Sequence, residues 1–556
     1  MSSSQTNPTS SSPSTAGSGD SNRWPPQIKY IVGNEACERF SYYGMRSILA
    51  LYITGTLLQT KDKATTIIHL FGFAVYFTPL LGAWVADRFW GRYKTIFYVS
   101  LFYCVGHGVL ATADLFATLD AKLLCLYSGL ALIAFGSGGI KPCVSAFVGD
   151  QFRDEQSHLL EKAYGAFYFS VNFGSFFAFL IIPWIARESG YGWAFGVPGI
   201  LMALATLIFW LGTRHYVMKP PAKDTRTAGF LTVYLAALKN FNRNNWSLNL
   251  AVLTNFLSSL ALPILAIPLM VYVSLSHGAT PFARFIGQLT VGILGLWYLL
   301  LLAGSLLKWT DLPDTFWSAA KVRHSDAEVD AARSVSPILT VFAWIPIFWT
   351  LFEQSSSTWV LQGSKMVPWT VFGEPGGQGS WTIGPEEMQS MNPLLVMLLI
   401  PIVTYGLYPL IEKLGVRATL LRRMAVGMCL AGASYLIVAW LQTQIVGGVK
   451  MSVMWQTVPY IVITMAEVLV SISGLEFAFR QAAPSMKSTI MSFWLLTNAV
   501  GQLIIALVTS LGGKHGDESV SRGRFMLFAL LTFAVAALFT IISVNYKNRD
   551  GTTAKT

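Results

Sequence analysis

Apolar runs of about 20 residues recur along this chain, and that recurrence narrows its fold more than any other feature. Fourteen can be counted. Six lie at 31–57, 65–86, 93–114, 123–148, 163–186 and 193–213. Two more, at 248–275 and 284–307, are set off by charged segments, and six follow at 335–360, 391–413, 421–441, 456–479, 488–511 and 525–545. A helix of about 20 residues crosses the hydrocarbon core of a bilayer, and only a helix or a closed barrel satisfies its own backbone there. Hydrophobic residues make up 53% of the 556 and charged residues 12%, more apolar surface than a soluble domain could hide. The expected fold is therefore an all-α, multi-pass membrane protein, with the lipid bilayer as its first partner.

Loop charges give the expected orientation. Arg88, Arg92 and Lys94 join runs two and three, and Arg214, Lys219, Lys223 and Arg226 follow run six. Lys308, Lys321 and Arg323 precede run nine, and Lys413, Arg417, Arg422 and Arg423 join runs ten and eleven. Alternation puts all of these on the cytoplasmic side with both termini; Lys514, Arg522 and Arg524 depart from the rule. The excess of 39 basic over 28 acidic residues is thus a feature of cytoplasmic loops, and no nucleic-acid partner is expected. Residues 1–24, rich in Ser, Thr, Pro and Gly without an apolar core, read as a disordered tail and not a signal peptide. The divisions are a cytoplasmic tail (1–27), a six-helix bundle (28–217), an inserted helical pair with cytoplasmic linkers (218–333), a second six-helix bundle (334–546) and a cytoplasmic tail (547–556).

The two bundles echo each other. Gly82-Ala-Trp-Val-Ala-Asp87-Arg88-Phe-Trp-Gly91-Arg92 joins runs two and three, and Glu412-Lys413-Leu-Gly415-Val-Arg417 stands at the equivalent place in the second half. Repeated halves are a mark of alternating-access transporters.

The first run is unusually polar. On a helix turning about 100° per residue, Glu35, Glu38, Arg39, Tyr42 and Arg46 fall within about 60° of one line. Each charge costs about 2.5–3.5 kcal/mol at a bilayer centre, so the stripe should face partners or a water-filled cavity. Lys141, in run four, lies at matching depth and can neutralise one of the Glu35/Glu38 carboxylates. Such a cluster is either a proton carrier that changes partners or a permanent set of ion pairs fixing the helices. Arg46 matches Glu353 of run nine in depth, so a salt bridge between them would close the outer mouth; the other reading is an Arg46 that snorkels outward alone.

Several segments together resemble the proton-dependent oligopeptide transporter family of the major facilitator superfamily. They are Glu35-x-x-Glu38-Arg39-Phe40-x-Tyr42-Tyr43-Gly44, the loop motif of Gly82, Asp87, Arg88, Gly91 and Arg92, Gly136-Ser-Gly138-Gly139-Ile-Lys141-Pro142, Phe167-Tyr168-Phe-Ser-Val-Asn172-Phe-Gly174-Ser175, and Gly474-Leu475-Glu476-Phe477 after Glu467. The resemblance implies two six-helix bundles plus an inserted pair, fourteen transmembrane helices in all, and the inserted pair resembles the bacterial branch, implying a bacterial inner membrane. It implies a gating role for Glu353. It also implies that His69, seven residues before Tyr76, takes part in proton coupling; by position alone His69 is equally a hydrogen-bonded packing residue.

For a substrate, the first half offers the cations Arg39, Arg46 and Lys141, and the second offers Glu467. A zwitterion would bridge the two, as a small peptide can. Asn172 and Asn392 can bond a peptide amide, and Tyr42, Tyr76, Trp349, Trp359 and Trp494 can form apolar walls, Trp349 and Trp494 by their match to family pocket positions. Gly136, Gly138 and Gly139 lie inside an apolar run without a Walker lysine, so close helix packing is expected there, and no nucleotide site. The five cysteines show no paired spacing, and neither a metal nor a cofactor is expected. The whole reads as a non-enzymatic, proton-coupled importer of di- and tripeptides, acting as a monomer and driven by the proton gradient. A same-family carrier of another small anion such as nitrate is the alternative, and a membrane sensor without transport a further one.

Overall fold

The computed structural model describes residues 24–221, 229–308, 312–374, 380–415, 417–512 and 518–546. Most of the expected tail 1–27, the tail 547–556, and Lys223, Arg226 and Lys514 lie outside them.

Helices dominate, as a lipid-embedded backbone requires. The first six are α1 (Ile28–Leu51), α2 (Lys61–Val85), α3 (Gly91–Ala111), α4 (Leu119–Asp150), α5 (Leu160–Ser189) and α6 (Tyr191–Leu211). Their starts are chemically marked: the Thr60 and Thr118 side chains accept from Lys63 N and Ala121 N at the heads of α2 and α4. α1 packs on α5 and α6, and α4 lies between α2 and α3. Glycines permit that contact. A Cβ on Gly82 would stand 2.6 Å from Gly138 O, and one on Gly138 would stand 2.1 Å from Thr78 Oγ1. Gly91, with φ +76°, ends the α2 segment in a conformation side chains rarely adopt.

A short helix, α7 (Phe230–Asn240), leads to α8 (Trp246–Phe256), α9 (Leu262–Leu275) and α10 (Pro281–Leu306), with α8 and α9 continuous through a π-helical turn at Leu257–Ala261. The linker that follows folds as α11 (Asp314–Trp317) and α12 (Asp326–Arg333), the latter opened by a Ser325/Glu328 capping box, and packs on α7. The expected helix at 335–360 is broken. α13 (Val335–Phe342) and α14 (Ile345–Phe352) belong to segments bent by 45°, because Pro346 has no N–H to carry the ladder on. After α15 (Thr358–Gly363), an antiparallel hairpin, β1 (Trp369–Phe372) and β2 (Trp381–Ile383), pairs Trp369 with Ile383. The chain ends in α16 (Met391–Pro401), α17 (Tyr408–Lys413), α18 (Leu420–Val446), α19 (Thr457–Glu467), α20 (Ser473–Gln481), α21 (Lys487–Ser510) and α22 (Arg522–Asn545).

Among the described residues eleven helical stretches are long and apolar enough to cross a membrane, twelve with the bent pair, against fourteen expected. One of them, Lys61–Leu115, is 55 residues long and holds both α2 and α3, and Ile28–Thr56, which carries the polar stripe, is not among the eleven. The two halves meet where α2 packs on α21 and where α5 packs on α16 and the turn before it.

Candidate functional site

The stripe on α1 is buried along its length. Arg39 Nε lies 2.9 Å from Glu35 Oε1 and 2.5 Å from Glu38 Oε2, so one guanidinium serves both carboxylates. Lys141 does not join them, contrary to the sequence expectation. Its Nζ stands 4.2 Å from the Tyr76 ring centroid and 4.8 Å from that of Tyr42, and among the described residues it forms no ion pair. The negative faces of two aromatic rings hold the ammonium where Arg39 already occupies the acids.

At the other end of the stripe, Arg46 Nη2 donates to Glu353 Oε2 at 2.5 Å and to Ser356 Oγ at 2.9 Å. Asn498 Nδ2 donates to Glu353 Oε1 at 2.8 Å, so both carboxylate oxygens are satisfied without water. His69 is fully buried one layer away, its Nδ1 2.5 Å from Gln502 Oε1 and its Nε2 2.8 Å from Ser357 Oγ. These contacts join α1 and α2 to the second half. Gly72 makes room for Gln502, since a Cβ there would stand 2.6 Å from its Cδ.

Beneath the Arg46 pair is a cavity of about 190 Å³. Arg46, Tyr76, Asn172, Trp349, Asn392 and Glu467 line it, as do Glu353, Tyr43 and Tyr168 from two of the family-like segments, and Gln389 and Tyr460, which the sequence reading does not single out. Arg39, Tyr42, Lys141 and Trp494, expected at the substrate, are absent from this wall. Trp494 stacks edge-on behind Trp349, with centroids 6.3 Å apart, and Tyr42 lies under Lys141. Trp359 is packed between Tyr435 and Tyr460, away from the cavity.

Glu467 is not alone, as its apolar sequence neighbours suggest. Asn392 Nδ2 donates to its Oε2 at 2.7 Å and lies 3.2 Å from Thr464 Oγ1. Directly after Glu467 the helix widens into a π-helical turn, Val468–Ile472, a distortion frequent at functional sites. Asn172 gives its amide N–H to Tyr168 O of its own helix at 3.0 Å. In the loop motif Arg92 pairs with Asp150 at the end of α4, and Lys219 Nζ reaches the same carboxylate at 2.9 Å. Glu476 and Arg480 form the i,i+4 pair their spacing suggests. Among the described residues no group of three or more His, Cys, Asp or Glu could hold a metal.

A family profile described as the POT family matches residues 93–291 and 297–519, a range that begins after the α1 stripe. Solute carrier family 15 member 2 of Rattus norvegicus is 34% identical over 437 residues, covering 76% of this chain and 50% of the relative. Peptide transporter 3 of Caenorhabditis elegans is 33% identical over 431 residues, covering 76% and 51%. The chain spans about half the length of the curated relatives it matches. A crystal structure of the POT family transporter PepTSo superimposes with a TM-score of 0.78 at 40% identity, covering 94% of this chain and 98% of that one. An auto-inhibited POT family peptide transporter gives 0.77 at 38%, with the same coverage.

Proposed function

Because the chain belongs to the POT family, the proton-dependent oligopeptide transporters, we propose that it is a proton-coupled symporter importing di- and tripeptides by alternating access of its two halves. The observation that carries this reading is the division of charge around one cavity: Arg46 reaches it from the first half and Glu467 from the second. A peptide carboxylate would approach Arg46, with Lys141 one aromatic ring behind at Tyr76, and the ammonium would meet Glu467. Asn392 and Asn172 would face the amide between them, and Tyr43, Tyr168 and Trp349 would accept varied side chains without fixed donors.

Coupling follows from which carboxylates hold which cations. A proton on Glu353, or on His69 beside it, weakens the Arg46 pair and opens that end; Arg46 is then free for the substrate. The Glu35/Glu38/Arg39 cluster would take up or release a proton as the other end opens, since protonating either acid loosens Arg39. We place the hairpin end outside the cell and both termini in the cytoplasm. On that orientation the contacts of Arg46, His69 and Asp62 with the second half support an outward-closed state.

The test is competition for labelled dialanine in proteoliposomes. Unlabelled dipeptides and tripeptides should displace the label and nitrate should not. Displacement by nitrate with indifference to dipeptides would overturn the substrate assignment.

A further inference from the structure

The Arg46–Glu353 pair is central, and a second ionic contact joins the halves on a different flank. Arg187, in the last turn of α5, places Nη1 2.5 Å from Glu387 Oε1 and donates through Nη2 to Thr382 O of β2 at 3.1 Å. Glu387 is buried and its other oxygen accepts from Gly384 N at 2.9 Å, so the carboxylate is held from both sides. Trp184, one turn earlier on α5, stacks on Trp381 of the hairpin with centroids 6.2 Å apart. The contact continues to the cavity within two residues. Gln389, which lines it, donates to Ser47 O at 3.1 Å, and Ser47 follows Arg46 on α1. On the α2 flank Asp62 Oδ1 accepts from Ser519 N at 2.7 Å, beside the His69 contacts described above, and none of these links is an ion pair.

We propose that Arg187 and Glu387 form a second latch between the halves, which must break for the hairpin end to open and which seats Gln389 against α1 when closed. Resting on the alternating-access reading above, the latch makes Arg187 a positioning residue for transport. The buried Glu387 cannot keep its charge without the guanidinium, and the guanidinium has a carbonyl and a carboxylate only while α5 and the hairpin are together. Separation of the halves therefore exposes both groups at once.

The full chain, with its five cysteines replaced by alanine, is spin-labelled at Leu115→Cys and Val446→Cys, exposed positions on opposite halves at the hairpin end, and reconstituted for distance measurement. Arg187→Gln and Glu387→Gln should each raise the open-to-closed ratio about fivefold, the scale of a partly exposed ion pair, while Arg187→Lys, which keeps the charge but not the fork, should fall between them and the parent. Unchanged distributions in both glutamine variants, beside a parent that moves with dipeptide, would overturn the latch and leave alternating access standing. A parent with a single fixed distance under every condition would overturn alternating access and the latch with it.

Discussion

Arg46 of α1 and Glu353 after α14 are joined at 2.5 Å across the two halves, 307 residues apart in sequence, with Asn498 holding the second carboxylate oxygen. Glu353→Gln keeps the shape and one acceptor but removes the charge that the buried guanidinium requires. We expect gradient-driven dipeptide uptake to fall at least about tenfold while peptide exchange without a gradient persists, a split read in parallel uptake and counterflow assays on one preparation.

Arg39 and Lys141 should behave differently when removed. Arg39→Gln strands two buried carboxylates and should cost about 3–5 kcal/mol of stability, visible as a lowered unfolding temperature in detergent. Lys141→Ala removes contacts with two aromatic faces, about 2 kcal/mol or less, and a positive charge that acts on Glu35 and Glu38 without pairing with them, so the protein should fold and bind peptide yet lose driven uptake.

Glu467 is assigned the peptide ammonium. Glu467→Gln should weaken dialanine competition by about 10–100-fold, the scale of one charge-assisted hydrogen bond, and leave weak competition by N-acetyl-dialanine unchanged. Equal losses for both compounds would place the ammonium elsewhere.

Closure of the hairpin end should depend on pH through Glu386. Burial, reinforced by the neighbouring Glu387 and opposed by Arg187, holds its carboxyl well above the ordinary 4.5, and its Oε1 has no hydrogen-bond partner among the described residues. Tyr191 of α6 and Asp114 after α3 also face this region. A carboxyl raised in the closed state stabilises closure fully below its ordinary value and loses that contribution as pH rises through the raised one. Glu386 should therefore add an open fraction that grows with pH in the spin-label measurement, opposite in sign to the opening by protonation at Glu353 or His69, and Glu386→Gln should remove that part of the pH profile alone.

The α1 stripe and the Arg46–Glu353 contact were legible because helical phase fixes which residues share a face and span direction fixes depth. Lys141 was not: depth put it near Glu35 and Glu38, but its choice of rings depends on how closely α2 approaches α4, which Gly82 and Gly138 set. Arg39 was placed on the substrate by its charge alone, and its geometry shows both acids already engaging it. The hairpin has a signal in the sequence, two short aromatic and β-branched segments on either side of a Gly/Pro-rich stretch. Pro346 likewise marked the break in the ninth run. Gln502 and Gln389 left no trace, since a glutamine in an apolar run reads the same whether it packs or binds.

The central claim is that protons drive peptide movement, and uptake of labelled dialanine into proteoliposomes with an imposed inward proton gradient tests it most directly. Accumulation above the equilibrium level that collapses when the gradient is dissipated is the expected result. Uptake of the same rate and extent with and without the gradient would contradict the account.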